Sequence, residues 1–394
     1  MTHDFKLKDV GNGMKICMIT CPLREVVCDH SLVSSAIRVL EPLAEDLFII
    51  SSNCPEDIVF NPRVHIRNVK HDSKKQPMMI RVAKQILWQL RVSFNLIKLS
   101  KNVDIVIFYL GSTAYPLPAV WAKLLRKKIV SRISGSPSKT AKEIYRETLY
   151  GYGGFIFSYI LNLLERMNHE LADRIVVESE SQIREFKLER YKSKVQLTNC
   201  FFNSDLFNME QDFGNRRNLI GFIGGLGEVK GVMNFVKAIP LILNRRDDVE
   251  FLIGGHGHLR EKIEDELRND KLYEKVTLAG WIPHAELIHY YNDVKLLVVP
   301  SYAESIPIVA IEAMACGTPV LATPVGGVPD VINDEENGFI LKDNSPQSIA
   351  DGVLRALEHP GLDEIARAAY FSVESGFTYQ AATEKYRIIL NSVK

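Results

Sequence analysis

Residues 302–320 read YAESIPIVAIEAMACGTPV and place two carboxylates, Glu304 and Glu312, eight positions apart in an otherwise apolar stretch. An ionised carboxylate only accepts hydrogen bonds and is rarely buried without a partner, so such a pair suits hydroxyl-bearing ligands such as vicinal diols. The ordinary alternative is two solvated or ion-paired surface groups. Upstream, LIGFIGGLGEVKGVMNFVKAI (219–239) runs a strand into Gly224, Gly225 and Gly227, after which Lys230 and Gly231 open a helix. Glycines admit an anion close to the backbone, a helix start offers free N–H groups, and lysine adds a point charge. The dinucleotide pattern GxGxxG fails because Lys230 stands where its last glycine belongs, and GxxxxGK[ST] fails as well. In GGHGHLRE (254–261), His256 and His258 have a spacing open to metal ligation, but no third ligand accompanies them and a polar turn is the better reading.

The elements that must position these residues are legible from short β-branched runs alternating with helix-length segments, the pattern of parallel α/β architecture. Strands are predicted at 15–19, 47–51, 64–66, 103–109, 128–134 and 174–179, then at 219–224, 249–255, 276–280, 295–301 and 319–323. Between the two series the polar, Asn-rich stretch 199–218 reads as a linker. Two doubly wound α/β domains follow, over 1–205 and 206–376, with a closing helix in 377–394 and a ligand cleft at the carboxyl ends of the strands. Glu304 then falls in a loop at the carboxyl end of a strand. Pro307 suits the first turn of the next helix, Gly317 lies just past its end, and Glu312 sits along it.

The chain has 394 residues, 46% of them hydrophobic and 24% charged, too many for one core of usual size. Its zero formal net charge hides an asymmetry: 30 Lys and Arg against 20 Asp and Glu in residues 1–200, and 18 against 28 in residues 201–394. The first half is therefore expected to meet something anionic. None of the six cysteines forms a CxxC pair, and buried free thiols are expected. No secretory signal is read in MTHDFKLKDV, and 105–125 is better a buried strand and helix than a membrane span, so the expected location is cytoplasmic. Residues 63–101 hold ten Lys or Arg against one acid, Asp72. Within 78–99 the expected core stripe is Met79, Ala83, Ile86, Leu90, Phe94 and Ile97. A second stripe, Arg81, Lys84, Trp88, Arg91, Asn95 and Lys98, is a candidate for the headgroup region of an anionic membrane, or else a solvated face with one packed tryptophan.

Three blocks taken together (GxxGxxxxxKG, then E-S-x-P-x-x-x-x-E-A-M-A-x-G-x-P-V, then PVGGVPDVINDEENGF) resemble the donor domain of family 4 glycosyltransferases, of the GT-B fold. The resemblance covers most of 215–390 and, more weakly, the first half. It implies a retaining, metal-independent transferase that uses a nucleotide-sugar, with UDP-sugars favoured. The first domain would bind a glycan or lipid-linked acceptor, and nucleic acid is not expected as a partner. It further implies that Glu312 accepts from the ribose hydroxyls, Glu304 holds hydroxyls of the transferred sugar, and Lys230 lies on the diphosphate. The Gly224–Gly225 turn and the amides from Ser305 through Ile306 and Pro307 to Ile308 would face the same region, and Gly280, Trp281 and Ile282 the base. No cofactor is implied, the sequence contains no D-x-D, and a donor phosphate oxygen would take the acceptor's proton.

The chain departs from the family at three points. Gly225 stands where an arginine is usual, and Arg132, at the end of a first-domain strand, is the candidate substitute. Ser134 stands where a histidine is usual. A Gly-Gly pair is absent from 20–32. These departures motivate an alternative from a different class, a catalytically weak or inactive GT-B subunit or scaffold of a glycan-assembly complex.

Overall fold

The computed structural model describes residues 13–22, 27–52, 54, 61–71, 78–109, 115–134, 138, 151–198 and 200–394. The chain divides into two compact units. The first comprises Met1–Val177, Ile183–Thr198 and Thr383–Lys394; the second comprises Glu178–Gln182 and Asn199–Ala382.

The first unit carries a seven-stranded, all-parallel sheet in the order β3-β2-β1-β4-β5-β6-β7. Its strands are β1 (Lys15–Pro22), β2 (Asp46–Ser52), β3 (Val64–Asn68), β4 (Ile105–Phe108), β5 (Lys128–Arg132), β6 (Arg174–Val177) and β7 (Val195–Leu197). The helices are α1 (Val27–Leu40), α2 (Met78–Leu99), α3 (Pro116–Leu124) and α4 (Gly151–Leu171). Helix α5 (Glu180–Glu185) is divided, Glu180–Gln182 grouping with the second unit and Ile183–Glu185 with the first, and the second unit carries a six-stranded parallel sheet, β10-β9-β8-β11-β12-β13. Its strands are β8 (Leu219–Ile223), β9 (Glu250–Gly254), β10 (Val276–Gly280), β11 (Leu296–Val299), β12 (Val320–Ala322) and β13 (Phe339–Ile340). Helices α6 (Val232–Leu243), α7 (Arg260–Asn269), α8 (Leu287–Asp293), α9 (Ile308–Ala315), α10 (Pro346–Leu357) and α11 (Leu362–Gly376) cover it. Strand runs such as LIGFI and LLVV are buried throughout, as expected of strands covered on both faces. Helix α12 (Tyr379–Asn391) follows; from Thr383 onward its residues group with the first unit, where the Thr383 hydroxyl donates to the Val39 carbonyl (3.2 Å).

Strand order reverses between β1 and β4 and again between β8 and β11. Open α/β sheets bind ligands at the carboxyl ends of the strands flanking such a switch point. Strands β7 and β13 were not among the predicted strands, because VQL and FI are not runs of β-branched residues.

The expected linker at 199–218 is not one. Phe202, Phe207 and Phe213 are buried in the apolar cores of the second unit, and the division between units falls after Thr198. The asparagines dominate the composition there, but the phenylalanines decide the packing.

Helix α2 is also turned relative to the sequence expectation. Trp88 is 1% exposed, its indole N–H donates to the Ser52 hydroxyl (2.6 Å), and its ring packs on Tyr115. Val92, Leu96 and Leu99 continue the buried stripe, whereas Ile86, Leu90 and Phe94, expected in the core, are exposed. Trp88 therefore leaves the membrane-facing set: one polar atom and a large apolar body are best satisfied where a hydroxyl waits at the end of β2. Lys84 is half-buried, Arg91 and Lys98 are exposed, and the Arg81 side chain lies outside the described residues. No helix among the described residues is long and apolar enough to cross a membrane.

Cys17, Cys54, Cys200 and Cys316 are buried, and burial pushes Cys17 and Cys316 up to about 12. Thiols held protonated in this way are inert.

Candidate active site

In the second unit, β8 delivers the glycine turn and β11 the Glu304 loop to adjacent points on the same sheet edge. The two loops touch through backbone: the Tyr302 amide donates to the Val229 carbonyl (2.8 Å). Gly231 has φ +69°, and a Cβ there would lie 2.0 Å from the Pro300 carbonyl oxygen, so only glycine permits this approach. Lys230 ends a short 3₁₀ turn (Glu228–Lys230) rather than opening α6 directly.

As a result Lys230 and Glu304, seventy-four residues apart, form an ion pair with Nζ 2.7 Å from Oε1. The Ser301 hydroxyl donates to the same Oε1 (2.7 Å). Both bonds fall on one oxygen, which leaves Oε2 for a ligand hydroxyl, and the ammonium keeps two further donors. The Glu304 side chain is only 8% exposed, so it is an ion-paired carboxylate and not a solvated one. Gly326 (φ +56°) and Gly327 seat the PVGG segment against this loop. A Cβ on Gly326 would fall 1.5 Å from the Glu304 carbonyl oxygen, and the Gly327 amide donates to the Ser305 carbonyl (2.9 Å).

Glu312 lies in α9 and is 4% exposed. Its Oε1 is 2.8 Å from His284 Nε2, and its Oε2 accepts from the Tyr291 hydroxyl (3.2 Å). Each oxygen keeps acceptor capacity while the carboxylate is held in one orientation. Phe207 packs edge-on against the His284 ring. Burial, reinforced by the Glu312 charge, raises the Tyr291 phenol well above its ordinary range, so it stays a donor. The Glu312 hydrogen bond raises the His284 pKa above its usual 6.5. A folded-state pKa above the unfolded value stabilises fully below about 6.5 and is lost as pH rises through the raised value. The melting-temperature gap between wild type and His284→Asn is therefore expected to narrow as pH increases from about 6 to about 9. A gap that is flat across that range would show that His284 does not charge against Glu312.

The structure thus brings together Gly224, Gly225, Lys230, Glu304 and Ser305 at the carboxyl ends of β8 and β11, with Glu312 one helix further on. Ile306 and Pro307 are buried and Ile308 is exposed at the start of α9. Pro307 has no N–H, so only Ser305, Ile306 and Ile308 of this run can donate. A Cβ on Gly225 would meet nothing within 4 Å. Gly280 ends β10, followed by Trp281, 65% exposed, and by Ile282, whose side chain packs against Gly254. Arg132 and Ser134 belong to the first unit; Arg132 is buried with its guanidinium 4.3 Å from the Tyr109 ring centroid, and Ser134 is exposed. His258 sits 2.8 Å from Glu228, and among the described residues no group of three metal-ligating side chains forms.

Sequence reasoning missed Ser301, His284 and Tyr291, the residues that hold the two carboxylates. Ser301, three residues before Glu304, was findable by proximity. His284 and Tyr291 come from another chain segment, and no local spacing announces them.

Residues 205–370 match the family model described as glycosyl transferases group 1. An uncharacterised glycosyltransferase of Methanocaldococcus jannaschii is 37% identical over 146 residues, 37% of each chain. The D-inositol 3-phosphate glycosyltransferase of Corynebacterium jeikeium is 30% identical over 177 residues, 43% of this chain and 42% of that one. The match thus spans about two fifths of the length of these relatives. Among solved structures, Anabaena HepE in complex with UDP superposes with a TM-score of 0.75 at 15% identity, covering 96% of this chain and 100% of that one. Two parallel-sheet α/β units, the glycine turn with Lys230 and the paired glutamates are thus joined by a match of the second unit to the group 1 glycosyltransferases, and the fold of the chain is GT-B.

Proposed function

We propose that this protein is a retaining hexosyltransferase that moves a sugar from a nucleotide-sugar, a UDP-sugar first among them, to a glycan or lipid-linked acceptor without a bound metal. The observation that carries the reading is the pair of buried, pre-oriented carboxylates beside one lysine at the switch point of the second sheet. In this reading Glu312 accepts from the ribose diol and Glu304 Oε2 from a hydroxyl of the sugar. Lys230 and the amides at the start of α9 take the diphosphate, and the exposed Trp281 ring offers a stacking surface for the base. The anomeric C–O bond to phosphate breaks, the acceptor oxygen bonds to that carbon on the same face, and its proton passes to a donor phosphate oxygen. Lys230 stabilises the charge growing on the leaving nucleoside diphosphate. The choice of UDP is supported by the HepE complexes with UDP and with UDP-glucose.

The test combines thermal shift against UDP-, GDP- and dTDP-sugars with analysis of the product anomer, because a ligand bound only by the native state raises its melting point. No shift with any of them would sink the reading. A second reading, a catalytically weak GT-B subunit or scaffold, is favoured by Gly225 and Ser134; a shift without turnover would support it.

Gly225 also supplies a direct prediction. The space around its Cβ is open, so Gly225→Arg is expected to fold normally and add a charge-assisted contact to the diphosphate. A gain of about 1.4 kcal/mol corresponds to roughly tenfold tighter nucleotide binding, measurable by calorimetric titration. Unchanged affinity would place the diphosphate away from this turn.

A further inference from the structure

The outer face of α2 carries an apolar surface that the proposed chemistry does not use. Ile80, Ile86, Leu87, Leu90 and Phe94 are between 46% and 57% exposed. They recur at three, four and seven residues, so they form one stripe along a helix of twenty-two residues. Soluble proteins scatter single exposed apolar residues but rarely align them, and an aligned stripe marks an interaction surface.

Charge says what it meets. Helix α2 contains no acidic residue, and Arg91 and Lys98 run along one border of the stripe. Lys98 lies over the Phe94 ring, its Nζ 4.3 Å from the centroid, so cation and apolar surface are offered together. Between β3 and α2 opens a groove of about 450 Å³ lined by Asn68, Lys70, Leu90, Arg91, Phe94 and Asn95. It sets two cations and two amides beside an apolar floor, the chemistry of a phosphate diester with an acyl chain attached. The surface continues laterally. Right-handed crossovers put α2, α3 and α4 on the same face of the first sheet, where α3 packs against both neighbours. Leu124 of α3 and Tyr159 of α4 are 67% and 59% exposed.

We propose that the α2 face of the first unit docks in the plane of an anionic phospholipid surface, with Leu90 and Phe94 entering the acyl boundary and Lys70, Arg91 and Lys98 meeting headgroup phosphates. The orientation differs from the one the sequence suggested: Trp88 points into the core, and Ile86, Leu90 and Phe94, expected there, face out. A helix of this kind lies on a membrane rather than across it, in keeping with the absence of a membrane-spanning helix among the described residues.

The full chain is tested by flotation with vesicles of phosphatidylcholine alone and of phosphatidylcholine with about a third phosphatidylglycerol, at about 0.15 M salt. Wild type is expected to float with the anionic vesicles. The exposed-site variant Leu90→Glu/Phe94→Glu is expected to lose at least about tenfold of that binding. Arg91→Glu/Lys98→Glu is expected to lose the preference for anionic over neutral vesicles, about threefold or more in partitioning. Unliganded melting temperature monitors folding of each variant, and nucleotide-induced shift reports the other unit separately, so failure of the donor-site reading is distinguishable from failure of this one. Wild type that stays with the unfloated fraction on anionic vesicles would overturn the proposal. So would Leu90→Glu/Phe94→Glu floating like wild type, or self-association that this variant dissolves in the absence of vesicle binding, which would assign the face to a second copy of the chain.

Discussion

Glu312→Ala is expected to abolish the rise in melting temperature that nucleotide-sugars produce. Hydrogen bonds to a charged group contribute about 1.5–3 kcal/mol each, so if Glu312 accepts from two ribose hydroxyls as proposed, its loss weakens binding by two orders of magnitude or more. The same change strikes the free protein. Tyr291 is wholly buried and would keep a hydroxyl with no acceptor at that position, at about 1–3 kcal/mol. The two effects separate experimentally. Tyr291→Phe removes the donor with the carboxylate left in place, so it should change stability while sparing most of the affinity. Glu312→Gln keeps one acceptor oxygen and should fall between wild type and Glu312→Ala in titration. If Glu312→Ala melts lower yet gains as much from saturating nucleotide as wild type does, Glu312 is a structural carboxylate and the ribose assignment fails.

Lys230→Ala is the second large effect. In the proposed reading its ammonium acts where charge develops on the leaving diphosphate, and removing one such group costs about 10²–10³ in kcat. The Glu304 carboxylate complicates the reading, because at 8% side-chain exposure it would retain only Ser301 as a partner. Steady-state kinetics on the preferred donor resolves this. A drop in kcat with KM nearly unchanged marks an interaction made in the transition state, whereas a rise in KM alone marks a ground-state clamp. Lys230→Arg restores charge but with a planar fork in place of a compact point, so partial recovery is expected. Wild-type kcat and KM in Lys230→Ala would remove the lysine from the site altogether.

Much of the architecture was legible because its determinants are local. A buried parallel strand must be a run of β-branched and apolar residues, so β1, β4, β8 and β11 announce themselves in KICMI, IVIF, LIGFI and LLVV. The glycine turn, Pro307 before α9 and Gly317 after it are short-range constraints on backbone angles, readable within a few residues. Glu304 and Glu312 stood out for the same reason: their carboxylates break an apolar context that spans only nineteen residues.

The tertiary structure alone decided how those groups are held and which way an ambiguous helix turns. His284 and Tyr291 reach Glu312 across separations of twenty-eight and twenty-one residues, and Lys230 reaches Glu304 across seventy-four. Such pairings depend on strand order, which no local spacing encodes. Helix α2 offered two stripes with comparable claims to burial, one wholly apolar and one built around Trp88. Its facing was settled by the β2 end beneath it, where the Ser52 hydroxyl accepts the indole N–H and Tyr115 completes the pocket. Periodicity in one dimension identifies the stripes of a helix. Which stripe goes inside depends on the shape and hydrogen-bonding capacity of the surface it meets, and that surface exists only once the sheet has formed.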